Sequence, residues 1–188
     1  MKDFSTHPNR DNLVIMMLKY GDVVIELLPD VAPKHVARFK QLTNEGFYDC
    51  LPFHRVIKGF MAQTGDPTGT GTGGTGVRIA DEISELSHKR GVVSMANAGP
   101  GTDDSQFFIT FAKTPWLDKK HTIFGRVLHG LKYVDQVNGG GTEDGSHPNP
   151  DGIIAMRMYD NVEAPFNPTC PFIGESHTME EWEEWGNS

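Results

Sequence analysis

Three stretches of the chain concentrate polar side chains among large apolar ones. FHRVIKGFMAQTGD, residues 53–66, sets His54, Arg55 and Gln63 beside Phe60 and Met61. SMANAGPGTDDSQFFIT, residues 94–110, adds Ala96, Asn97, Gln106 and Phe108, and WLDKKHTIFG, residues 116–125, adds Trp116, Leu117 and His121. A few donors and acceptors set in apolar surface are the makings of a peptide-binding groove. Each residue also has an ordinary structural use: Arg55 in a surface ion pair, His54 or His121 as a scaffold histidine, and Phe108, Leu117 or Trp116 as core. No metal set is apparent, because Cys50 and His54 make only a C-x-x-x-H pair and there is no H-E-x-x-H.

Between the first two stretches runs GTGTGGTG, residues 69–76, which fits G-x-G-x-x-G twice, at Gly69, Gly71 and Gly74 and again at Gly71, Gly73 and Gly76. A dinucleotide loop needs a strand before it and a helix with an apolar face after it. Gly76 leads instead into Val77-Arg78-Ile79-Ala80-Asp81-Glu82 and a polar run to Arg90, with no helical stripe. No Lys-Ser or Lys-Thr succeeds these glycines either. The run therefore reads as a mobile surface loop in which glycine permits sharp turns.

The elements that must position these groups are short. Leu13–Leu18 and Val23–Leu28, with turn chemistry at Tyr20-Gly21-Asp22, form a hairpin pattern. After Asp30, Pro33 opens a segment with an apolar stripe at Val36, Phe39 and Leu42 that stops at Gly46, the signature of a helix. Residues 53–57, 60–64, 77–79, 91–95, 106–110, 123–127 and 153–158 are strand-like, and Leu131, Val134 and Val137 make a second helical stripe. Many short strands with two helices argue for an antiparallel barrel or sandwich.

At 188 residues the chain has the size of one domain. Its formal charge of -8, with Lys119-Lys120-His121 the basic cluster of note, argues against a nucleic-acid partner. No apolar run approaches the ~18 residues of a membrane span. The N-terminal residues lack the pattern of a secretory or transit signal, so a cytoplasmic protein is expected. In that compartment Cys50 and Cys170 are expected as reduced thiols.

Taken together, FHRVIKGFMAQTGDPTGTG, SMANAGP…SQFFI and WLD..HTIFG resemble the cyclophilin family of peptidyl-prolyl cis–trans isomerases, from about Leu13 to Tyr159. The resemblance implies a closed eight-stranded antiparallel β-barrel capped by two helices, with the substrate groove on its outer surface. It implies an isomerase of Xaa–Pro bonds that assists protein folding as a monomer, acts on proline-containing peptides and proteins, needs no cofactor, and is sensitive to cyclosporin. By position it carries the site onto His54, Arg55, Phe60, Met61, Gln63, Ala96, Asn97, Gln106, Phe108, Trp116, Leu117 and His121, with Arg55 as the catalytic group. Strand alternation would turn Gln106 and Phe108 to the groove and Phe107 and Ile109 to the core. Phe60 and Gln63 cannot share a face of a regular strand, so the chain must bend there.

Three features depart from the family pattern or extend it. Gly101-Thr102-Asp103-Asp104 puts two acids near the groove, where they would favour basic residues in a substrate. Lys119 stands at a turn commonly occupied by glycine. Residues 1–12 and 162–188 flank an isomerase domain of 13–161. The latter segment carries Pro165, Pro168 and Pro171 and a capping box, Thr178 to Glu181, with Trp182 and Trp185 expected to pack back on the barrel in preference to forming a partner-binding tail.

Overall fold

The computed structural model describes residues 2–139 and 142–174, and the capping box with its two tryptophans lies outside them. Strands β1 (Leu13–Leu18) and β2 (Gly21–Leu27) form the hairpin, with Leu18 opposite Gly21. The two central turn residues are thus Lys19 and Tyr20, one position before the expected turn. β1 is buried along its whole length, in keeping with a continuous apolar sequence.

Helix α1 (Pro33–Asn44) starts on proline at its first turn and buries the expected stripe, Val36, Phe39 and Leu42. Phe39 lies 5.0 Å from Tyr48, 5.3 Å from Phe107 and 5.0 Å from Phe124, ring centre to ring centre, which anchors the helix on the barrel core. β3 (Arg55–Ile57), β4 (Met61–Thr64), β5 (Val92–Met95), β6 (Phe107–Thr110) and β7 (Ile123–His129) follow. Then come α2 (Leu131–Val134), a single turn entered from Gly130 in a left-handed conformation, and β8 (Ala155–Met158). Val137 is buried but lies beyond the helix end, in the turn that follows. Residues 77–79 do not form a strand: Ile79 makes one isolated bridge, to Asp103.

All eight strands join one antiparallel sheet in the order β3-β4-β6-β5-β7-β2-β1-β8. The ends of that order, β3 and β8, meet just before each strand begins. Pro52 bridges Gly152, the Phe53 amide donates to Asp151 O at 2.8 Å, and the Ile153 amide donates to Leu51 O at 2.9 Å. The barrel therefore closes through this short seam and not along paired edges. No helix among the described residues is long and apolar enough to cross a membrane.

Segments on both sides of the barrel pack onto it. Phe4 is buried with Leu13 and Val24. Val162, Phe166, Phe172 and Ile173 cover Ile15, Met17, Ile154 and Ala155 on the outer face of β1 and β8. Buried Arg157 holds this C-terminal segment, donating to Pro165 O at 2.7 Å while pairing with Asp49 at 2.8 Å. The fold-back brings Cys170 to Cys50, with 5.6 Å between their Cα atoms, and the two form a disulfide. That corrects the expectation of two reduced thiols. The pair is 120 residues apart in sequence, a separation that says nothing about distance in space.

Candidate active site

The β3–β4 hairpin supplies the first half of the site. Arg55 stands opposite Gln63 and Gln63 opposite Phe108, so three expected residues line up across β3, β4 and β6. Phe60 lies in the turn between β3 and β4, outside either strand, which is the bend its spacing from Gln63 required. Phe107 and Ile109 enter the main core, and Phe108 faces the other way.

A cavity of about 360 Å³ on the outer surface brings together His54, Arg55, Phe60, Met61, Gln63, Ala96, Asn97, Phe108, Leu117 and His121. Gln106 lines an adjoining hollow of about 590 Å³ together with Gln63, Ala96 and Asn97, which are common to both. Trp116 lines neither. It stands at the rim, 57% exposed, with its ring 5.6 Å from that of Phe60.

Arg55 is held by a run of amides. Its Nη1 donates to Gln63 Oε1 at 3.4 Å, Gln63 Nε2 donates to Gln106 Oε1 at 2.9 Å, and Gln106 Nε2 donates to Gly73 O at 2.9 Å. The guanidinium also sits 5.9 Å from the centre of the Phe60 ring. Gly145 passes over its stem, where an added Cβ would lie 3.0 Å from Arg55 Cγ.

The two groove histidines differ. His121 Nδ1 lies 2.9 Å from Met95 O, which makes that nitrogen the donor. Both ring nitrogens of His54 are buried without a hydrogen-bond partner. Burial pushes the His54 imidazole below its ordinary range, against the weaker pulls of Asp66 and of the neighbouring Gln106 side chain. The Asn97 side chain is spent on backbone, donating to Lys120 O in the segment before β7 and accepting from the Gly99 amide of its own loop.

The glycine run, read from sequence as a mobile surface loop, is a pinned wall of both cavities. Asp66 accepts from the Thr68 amide and hydroxyl and from the Gly71 and Gly73 amides, all within 2.7–3.0 Å. Burial raises the Asp66 carboxyl, but these donors together hold it below its usual range. Asp104 pins the far end through the Thr75 amide and hydroxyl and the Gly76 amide. Asp103, expected near the groove, is fully buried against His35 Nε2 at 2.8 Å and so is not available to a substrate. Lys119 keeps the left-handed turn of a glycine, with φ 61°.

In the cavity beside Arg55, two lining residues outside the glycine run went unforeseen, Asp144 and Ser146. Asp144 is held down to about 2 by the Thr142 hydroxyl and then the Ser146 amide, so it presents a charge at the rim. An Asp-Gly pair signals only a turn in the sequence, and nothing local says that this turn returns to Arg55.

Residues 13–158 match the family model described as cyclophilin type peptidyl-prolyl cis–trans isomerase. A peptidyl-prolyl cis–trans isomerase-like 1 of Rhizopus delemar is 54% identical over 129 residues, covering 66% of this chain and 78% of that protein. A peptidyl-prolyl cis–trans isomerase of Schizosaccharomyces pombe is 53% identical over 129 residues, covering 66% and 83%. Among solved structures, a cyclophilin type isomerase of Cryptosporidium parvum superposes with a TM-score of 0.72 at 36% identity, over 78% of this chain and 96% of its own. A second structure of that protein was determined in the presence of the dipeptide Ala-Pro.

Proposed function

The chain belongs to the cyclophilin family of peptidyl-prolyl cis–trans isomerases, and from that premise we propose that an Xaa–Pro bond is turned in the cavity beside Arg55, by a non-covalent mechanism. Rotation about such a bond crosses a barrier of ~18–20 kcal/mol because the planar amide is resonance-stabilised. No bond is broken, so the reaction calls for no nucleophile and no proton donor. Lowering the barrier by ~8 kcal/mol accelerates rotation by about 10⁶-fold. The protein achieves this only by binding the twisted amide better than either planar form.

In the twisted amide the lone pair returns to the proline nitrogen. Arg55 is the donor to that nitrogen, since a guanidinium keeps its charge and aims its N–H groups in a fixed fork. The observation that carries this assignment is the amide run from Arg55 through Gln63 and Gln106 to Gly73, which fixes the guanidinium at an apolar wall. Phe60, Met61, Phe108 and Leu117 hold the pyrrolidine ring and exclude water. His54, His121 and Trp116 line the rim. Gln63, Gln106, Ala96 and the backbone at Asn97 hold the flanking peptide, so that one side of the bond is fixed while the other turns.

Proline-containing peptides and proteins are the substrates of this reading, supported by the Ala-Pro dipeptide used with the Cryptosporidium protein. The working unit is a monomer whose isomerase domain is 13–161, and Trp116 at the rim favours binding of cyclosporin. The deciding experiment follows isomerisation of a short Xaa–Pro peptide by wild type and Arg55→Ala, with and without cyclosporin. Turnover should fall at least ~100-fold in the variant, about 2.7 kcal/mol of transition-state stabilisation, and be blocked by the drug. Binding without turnover in the wild type would instead identify a proline-binding module.

A further inference from the structure

Behind the groove three side chains stand in the order of a hydrolase triad. Asp118 Oδ1 lies 2.8 Å from His88 Nδ1 and also accepts the His88 backbone N–H at 2.7 Å, while His88 Nε2 lies 2.9 Å from Ser94 Oγ. Acyl transfer is excluded by access. His88 and Ser94 are 1% and 0% exposed, and Ser94 sits in β5 with β6 paired on one side and β7 on the other. No carbonyl carbon can reach its oxygen.

The groove itself surrounds the three. Ser94 stands directly opposite Phe108 in the β5–β6 register. The His88 ring lies nearly parallel to that of Phe108, 6.0 Å away at 14°, and edge-on to His121 at 6.4 Å. Phe108 and His121 meet edge to face at 5.4 Å. Asp118 comes directly after Leu117 in the chain and so fixes the end of the short turn that carries it.

We infer that Asp118, His88 and Ser94 form a buried positioning relay for the proline seat, in which a neutral His88 keeps Phe108, Leu117 and His121 in place and a protonated one does not. The inference rests on the cavity being the Xaa–Pro site. Ser94 has one hydroxyl proton and two acceptors in reach, His88 Nε2 at 2.9 Å and Thr122 O at 3.1 Å. With His88 neutral and its Nδ1–H given to Asp118, Nε2 can only accept, and Ser94 donates to it. A proton on Nε2 reverses that bond and turns the hydroxyl to Thr122 O. That carbonyl already takes the Met95 amide, and Met95 O takes His121 Nδ1, so the rearrangement runs to the groove wall. The titratable groups acting on His88 are Asp118, from the turn after Leu117, and His121, from the loop before β7. Burial pushes His88 down and His121 adds to this, while Asp118 opposes it.

The test measures kcat/KM on an Xaa–Pro peptide from about pH 4.5 to about 8 for wild type, His88→Leu and His88→Gln, with imidazole protonation followed by ¹⁵N NMR. His88→Leu should lose on the order of tenfold at neutral pH, mainly in KM, and His88→Gln, whose amide oxygen can accept from Ser94, should recover to within about threefold. Wild-type kcat/KM should fall in acid in step with protonation of His88, and the glutamine variant should lack that limb. If the leucine variant does not fold, the pH profile of the glutamine variant decides alone. Full kcat/KM in a folded leucine variant, or an unchanged acid limb in the glutamine variant, overturns the relay. A wild type that binds peptide without turning it over defeats the isomerase assignment, and the same comparison is then read in Kd. A wild type that binds no such peptide overturns both.

Discussion

Arg55 and His35 show what single side chains do here. In the proposed mechanism Arg55 acts without gaining or losing a proton, and burial lowers the proton affinity of His54 beside it. Apart from the acid limb assigned to His88, catalysis should therefore vary by less than about twofold in kcat/KM between about pH 6 and 9, and a bell-shaped profile with losses on both sides of that window would contradict the mechanism. His35 behaves differently. It is fully buried, with Nδ1 2.7 Å from Glu82 and Nε2 2.8 Å from Asp103. Burial lowers its affinity for a proton, yet the hydrogen bonds to Asp103 and Glu82 outweigh that and raise it above its usual 6.5. A raised histidine gives stability that is complete below the unfolded value and lost as pH rises through the folded one. The melting temperature should accordingly decline on the alkaline side of 6.5, and His35→Gln should flatten that decline in a pH series of thermal melts. The setting of His35 was not legible beforehand. A histidine on a helix face looks alike in sequence whether it meets solvent or two carboxylates. Arg55 was legible only because a long string around it resembles a family, since an arginine near aromatic residues has many structural uses.

The glycine run illustrates the scale of the element. Its composition suggests freedom, but two carboxylates remove that freedom, Asp66 at the near end and Asp104 at the far end. The loop then holds Gln106 through Gly73 O, and through Gln106 and Gln63 it reaches Arg55. Asp66→Ala should raise KM for an Xaa–Pro peptide on the order of tenfold and lower kcat less, since the flanking-peptide wall loosens before the proline seat does. Amide exchange should accelerate at Gly71 and Gly73, and unchanged exchange there would show that the carboxylate is dispensable. The strands themselves were readable from alternation and turn residues, and β1 has the bounds its sequence proposed. Residues 77–79 were misread because β-branched side chains also suit an extended loop that bridges once. The second helix proved one turn long, although its apolar spacing continues to Val137.

At the scale of the whole molecule, the segment 162–174 is part of the body. It covers the outer face of β1 and β8, Arg157 ties it down, and the Cys50–Cys170 disulfide closes the chain over 120 residues. Cys170→Ser should cost about 2–4 kcal/mol of unfolding free energy. Wild type under reducing agent should match the variant in denaturant melts, and equal stability with and without reductant would show that the crosslink contributes nothing. Periodicity could not choose between barrel and sandwich, because either satisfies short alternating strands. The order of the sheet decides it, placing β3 and β8 at its ends and joining them through Pro52 and Gly152. That seam bears on synthesis. Arg55 lies on β3, yet the backbone beside it is completed by Gly145 and Asp151, and β1 has an open edge until β8 arrives. A ribosome must therefore translate to residue 158 and let it clear the exit tunnel before the sheet can close. Until then the nascent chain exposes the unpaired edge of β1, a template for pairing with other chains. A prolyl isomerase of this design is itself, while being made, a client for folding helpers.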